Sequence, residues 1–117
     1  ASIADMRANT RPHSTFSLST SANQEDHVSM AATAAWHLLQ ASQRLADVLA
    51  CEALIACEGL EHISEDPGEG VKSLYEHVRR IVAPLEGDRS LSQELADLAH
   101  DFLNGFADDQ DLSNYID

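Results

Sequence analysis

Apolar positions fall in three blocks. Val28, Ala31, Ala35, Leu38, Leu39, Leu45, Val48, Leu49, Ala53, Ile55 and Ala56 keep mostly helical spacing with no proline before Pro67. They predict a long helix that opens at Asn23 and reaches Gly59 or Leu60. Asn23 is suited to cap it, and Glu25 and Asp26 suit the positive end of its dipole. About 36 residues in one helix would run roughly 54 Å, about twice the diameter of a compact chain of this size. A turn is predicted from Ser64 to Gly70, followed by a second stripe of Val71, Leu74, Tyr75, Val78, Ile81 and Val82 that Pro84 ends. A third helix is expected after Ser90, whose spacing to Gln93 matches a capping box. It buries Leu95, Leu98, Phe102, Leu103 and Phe106, and Gly105 is its stop.

Outside these blocks the pattern fades. Residues 1–22 are rich in Ser, Thr and Asn, contain Pro12 and show no apolar period, so irregular chain is expected there. Residues 23–106 form the helical region. Residues 107–117, with Asp108, Asp109, Asp111 and Asp117 and no basic residue, read as a solvated acidic tail. No internal repeat is present. Aromatic residues make up 5% of a chain that is 44% hydrophobic and rich in alanine, which suits closely approaching helices rather than strands. The fold class is all-α, a long helix with shorter antiparallel helices contributing to a bundle.

Charge narrows the function. Lys and Arg number 7 against 20 Asp and Glu, a formal net charge of -13 that repels nucleic-acid phosphates and anionic membrane faces. No apolar run approaches the roughly 20 residues of a membrane-spanning helix, and a cytoplasmic protein is expected. Cys51 and Cys57 are neither a CxxC pair nor a disulfide framework, and both read as buried packing residues. His13, His27, His37, His62, His77 and His100 show no metal-binding spacing, so no metal is expected. Asp97, His100 and Asp101 share a helix turn and read as a solvated face. Ser29 cannot form a triad with its immediate neighbours His27 and Asp26. Trp36 is expected to anchor a helix contact, and Arg79, Arg80 and Arg89 to pair with the acidic excess.

The richest chemistry lies in Thr20-Ser21-Ala22-Asn23-Gln24-Glu25-Asp26-His27-Val28-Ser29-Met30. By residue type alone this is an ordinary capped helix start. As a string, it resembles the Gln-Glu-Asp-His-Val-Ser-Met signature of histidine ammonia-lyases. Val82, Pro84, Leu85, Glu86, Asp88, Arg89, Leu91 and Ser92 look like the later proline-leucine-acidic-aspartate-arginine segment of that family. The resemblance covers most of residues 17–104, weakly between Glu58 and Gly70.

The resemblance implies an extended helical bundle, the carboxy-terminal portion of the lyase, and elimination of ammonia from L-histidine to give trans-urocanate. It makes Glu25 the active-site carboxylate, catalytic and substrate-binding, with Gln24 as its polar neighbour on the substrate. A carboxylate there can accept hydrogen bonds from a protonated imidazole or ammonium. Relatives acting on phenylalanine or tyrosine show Asn-Gln-Asp at this place, so the Gln24-Glu25 pair favours histidine. Asp26 and His27 are expected to fix the helix start and subunit contacts.

The family's electrophile, 4-methylideneimidazole-5-one, forms from an Ala-Ser-Gly triad that this chain does not contain. The resemblance therefore implies that another part of the enzyme supplies it, within an assembly that is typically tetrameric, and that the isolated chain is inactive. A fragment of a longer chain, the small subunit of a split lyase, a component of an aminomutase and a non-catalytic helical module derived from the lyase fold all stay open on sequence grounds.

Overall fold

The computed structural model describes residues 2–105, which form four α-helices and one short 3-10 turn. The expected burial of Phe106 and the acidic tail at 107–117 lie outside the described residues. The chain divides into two compact units, residues 1–45 and 46–117. The all-α class holds, and the described residues contain no strand, only an isolated bridge between Thr20 and Glu25.

In the first unit, residues 1–22 are not wholly irregular. Helix α1 spans Ser2–Asn9, and a 3-10 turn spans His13–Phe16. Ala4, Met6, Arg7 and Ala8 are good helix formers, and no glycine or proline intervenes before Pro12. The segment carries no apolar stripe and buries nothing, which is why a search for periodicity passes over it. An ion pair of Arg44 with Asp5 at 3.5 Å joins α1 to the long helix, but both side chains are more than half exposed. Such a pair is worth at most about 1 kcal/mol.

The long helix α2 spans Ala31–Leu60, so its predicted start at Asn23 is eight residues too early. The cause is local. Ser21, Ala22 and Asn23 have φ of 53°, 55° and 66°, and Met30 has φ of 52°. Left-handed residues cannot continue a right-handed helix, so the helix opens only after Met30. The Ala31 N–H then donates to Ser29 Oγ at 3.4 Å.

The core lies in the second unit. From Ala46 onward α2 contributes Ala46, Ala50, Leu54 and Cys57, a stripe at steps of four, four and three. Helix α3, Glu69–Ile81, and the segment after it supply Val78 and Val82; helix α4, Ser92–Leu103, supplies Leu98 and Ala99. Ala50, Val78, Val82 and Leu98 are fully excluded from solvent. Ala99 on α4 leaves room for the backbones of α3 and α4 to approach closely. Val71 and Leu103, expected in the apolar stripes, are instead exposed, and so is Cys51, whereas Cys57 is buried.

Helix α3 starts at Gly68 without a side-chain cap. Glu69 in its first turn and Arg79 and Arg80 in its last follow the dipole. Val82 turns extended while its N–H still reaches Val78 O at 2.8 Å. Pro84 bars Ala83 from helical conformation, which explains the stop. The capping box predicted at Ser90 does not form. Leu91 occupies the N-cap with no side-chain cap, Ser90 bonds Ser92, and Gln93 donates to Asp97. Gly105 does adopt the left-handed stop, at φ 69°.

Side-chain pairs fasten the core from its edges. Arg79 donates to Glu58 at 2.8 Å and pairs with Glu61 at 3.0 Å, while the Tyr75 hydroxyl donates to Glu61 at 2.5 Å. The hydrogen bond from Arg79 holds Glu58 below the usual carboxylate range. Burial works against the Arg79 charge, but its bonds to Glu58 and Tyr75 prevail and raise its pKa. Arg89 pairs with Glu94 and also donates to Ala83 O at 2.9 Å, closing the loop between α3 and α4. Arg80 donates to His77 Nδ1 at 2.9 Å. Asp101 turns to His77 rather than to its helix neighbour His100, which lies beside Asn104.

Candidate active-site turn

Gln24 and Glu25 sit on a tight turn rather than on a helix. The turn is closed by reciprocal backbone bonds: Thr20 N–H to Glu25 O at 3.0 Å, and Glu25 N–H to Thr20 O at 3.3 Å. Gln24 N–H donates to Ser21 O inside it at 3.2 Å. This pairing explains why the chain accepts three successive left-handed residues. They reverse its direction within the span of the Thr20–Glu25 bridge.

Hydroxyl side chains set the turn in place. Thr20 Oγ1 donates to the Glu25 carboxylate at 3.2 Å, and Ser19 Oγ donates to Asn23 Oδ1 at 2.7 Å. Asn23, expected to cap the helix, is thus spent on the turn itself. Ser17 Oγ accepts from Val28 N–H at 3.0 Å and shares a hydrogen bond with His27 Nδ1 at 2.9 Å. His27 therefore fixes the exit from the turn and not the start of α2. The sequence reading missed Ser17, Ser19 and Thr20 as positioning residues. Their signal is a run of hydroxyl side chains just before a polar turn, where local side-chain bonds compete with regular structure.

Both Gln24 and Glu25 are exposed. The arrangement can hold one carboxylate oxygen against a hydroxyl while the group faces solvent, open to a cationic ligand. Ser29 joins no catalytic pair: its hydroxyl accepts from Ala31 N–H. Among the described residues, no group of three or more His, Cys, Asp or Glu is arranged to hold a metal ion. No helix of the described residues is long and apolar enough to cross a membrane.

A family model described as aromatic amino acid lyase matches residues 1–80, including the whole of this turn. A histidine ammonia-lyase of Deinococcus radiodurans is 39% identical over 105 residues, covering 90% of this chain and 20% of the relative. One of Legionella pneumophila is 41% identical over 92 residues, covering 78% and 18%. A probable histidine ammonia-lyase of Thermoplasma volcanium is 44% identical over 79 residues, covering 67% and 16%. The chain spans about a fifth of the length of the curated relatives it matches. With the match extending over most of its length and through the Gln24-Glu25 turn, the chain belongs to the aromatic amino acid lyase family.

Proposed function

We propose that this chain is the carboxy-terminal part of a histidine-type ammonia-lyase, with Glu25 as its active-site carboxylate and Gln24 as the polar neighbour on the substrate. The observation that carries the reading is the Gln24-Glu25 pair on an exposed, hydrogen-bonded turn, in a chain whose relatives are named histidine ammonia-lyases. The substrate is L-histidine and the products are trans-urocanate and ammonia.

The 4-methylideneimidazole-5-one group does not fit these residues as its source, because the Ala-Ser-Gly triad is missing from the 117 residues. The remaining amino-terminal portion, on the same gene product or on a separate subunit, supplies it within a tetrameric assembly. This chain's share is binding and proton handling. Glu25 accepts a hydrogen bond from the substrate's imidazolium or ammonium and can relay a proton, Thr20 holds the carboxylate, and Gln24 adds a neutral donor and acceptor. The exposed apolar side chains along α2, among them Trp36, Leu38 and Leu39, are the surface on which that assembly closes. Trp36 thereby finds across an interface the packing expected of it.

The test is co-expression with the amino-terminal portion of the Deinococcus radiodurans relative, followed by native mass spectrometry and a urocanate assay. The expected result is a mixed assembly that makes urocanate, and a Glu25→Gln assembly of the same mass that does not. Undiminished turnover in Glu25→Gln would remove Glu25 from the site. An assembly that forms yet turns over no amino acid would favour the non-catalytic module, and an amino-shifted isomer in place of urocanate would assign a mutase.

A further inference from the structure

Apart from the Gln24-Glu25 turn, the first unit holds a cleft of about 400 Å³ lined by Asn9, Arg11, His13, Met30, Thr33 and His37, with Ala8 at its edge. Its charge runs against that of the whole chain. The protein carries 20 carboxylates against 7 Lys and Arg, yet none of the cleft's lining residues is an Asp or Glu. Arg11 brings a permanent cation and five N–H donors in a planar fork.

The long helix adds to the same sign. Thr33 lies in the first turn of α2 and Met30 just before it, and that turn holds no acidic residue to offset the positive end of the helix dipole. His37 follows Thr33 by four positions on the same helix face. Its ring lies against that of His13, with centroids 4.6 Å apart and planes tilted by 33°. His37 Nδ1 is buried and finds no hydrogen-bond partner among the described residues. A buried imidazole nitrogen ordinarily has one.

We propose that this cleft binds a small oxyanion, a phosphate or a carboxylate, between the Arg11 guanidinium and the paired imidazoles of His13 and His37. The planar fork of Arg11 matches two oxygens of either group. The helix start contributes its dipole, and the Asn9 and Thr33 side chains among the lining residues offer neutral hydrogen-bonding groups.

The experiment titrates the full 117-residue chain with inorganic phosphate and, separately, with acetate, while NMR follows the side-chain signals of Arg11, His13 and His37. Chloride at matched ionic strength is the reference. Saturable shifts at these three residues are expected, with affinity about tenfold weaker or worse in Arg11→Gln. His13→Gln is the second variant, and circular dichroism checks that both keep their helices. Binding of phosphate alone assigns a phosphate site, and binding of both anions a general oxyanion site. Shifts no larger than those in chloride, or undiminished in both variants, would overturn the proposal. The readout involves no turnover, so its failure is separable from failure of the lyase reading.

Discussion

Asp101 Oδ2 on α4 lies 2.6 Å from Nε2 of His77 on α3, and this bond settles which ring nitrogen carries the proton. The other nitrogen, Nδ1, faces the Arg80 guanidinium at 2.9 Å. A guanidinium has donors and no acceptor, so Nδ1 must offer its lone pair and Nε2–H must donate to Asp101. His77 is thus a neutral bridge between a cation and an anion, with its side chain only 6% exposed. Nitrogen-15 NMR is expected to show the Nε2–H tautomer at neutral pH. Asp101→Asn, which exchanges a charged acceptor for an amide, should cost about 1–3 kcal/mol in chemical denaturation.

Leu98 and Leu38 make a second comparison. Leu98 is fully buried against α2 and α3, whereas Leu38 is 69% exposed. Leu98→Ala is expected to lower the stability of the chain by about 2–5 kcal/mol. Leu38→Ala should change it by less than about 0.5 kcal/mol. If α2 is an assembly surface, the order reverses in native mass spectrometry of the mixed complex, where Leu38→Asp weakens association while leaving the fold of the chain intact.

These two leucines also show how far the sequence speaks. Helical spacing revealed the presence of α2, α3 and α4, because period alone decides that an amphipathic segment coils. It did not reveal which stripe of α2 packs inward. That helix is apolar around much of its circumference, and the buried set Ala46, Ala50, Leu54 and Cys57 is chosen by contact with α3 and α4. The start of α2 was misplaced because Asn23 and Glu25 are good capping residues in isolation, while here the bridge between Thr20 and Glu25 draws them into a left-handed turn. Gln24 and Glu25 were legible as a string. The hydroxyls that hold them were not, since serine and threonine carry no periodic signature.

Acid should loosen the junction of α2 with α3. Arg79 holds the Glu58 pKa below its ordinary 4.5, so the pair contributes stability above that value and loses it as pH falls through the lower, folded-state value. Thermal unfolding is expected to show a smaller drop below about pH 4.5 for Glu58→Gln than for the native chain. Parallel curves would show that the pair contributes nothing to folding.

Alkali should act on Tyr75, whose hydroxyl donates to Glu61. That bond raises its pKa above 10.0, partly opposed by Arg79. Its stabilising effect is complete below about pH 10 and is lost as pH rises through the raised value. Phenolate absorbance is expected to show one of the two tyrosines titrating late, and Glu61→Gln should bring it back towards 10.

Glu25→Gln should separate function from folding. The carboxylate is exposed and bonded by Thr20, so the substitution is expected to leave the melting temperature of the chain within about 2 °C. Turnover of the reconstituted assembly should fall by about a hundredfold or more. Thr20→Val, which frees the carboxylate without removing it, is expected to give a smaller loss in kcat/KM.

The succession of left-handed residues from Ser21 to Asn23 makes this turn hard to reproduce as a short peptide. Each such residue costs about 1–2 kcal/mol outside glycine, and the bonds of the turn offset that strain only while residues on both sides hold its ends. A free segment would relax to other conformations, so the Gln24-Glu25 string in an unrelated loop carries the letters of the turn without its shape. Any transfer of this turn to a new scaffold has to bring Ser17, Ser19 and the Thr20–Glu25 bridge with it.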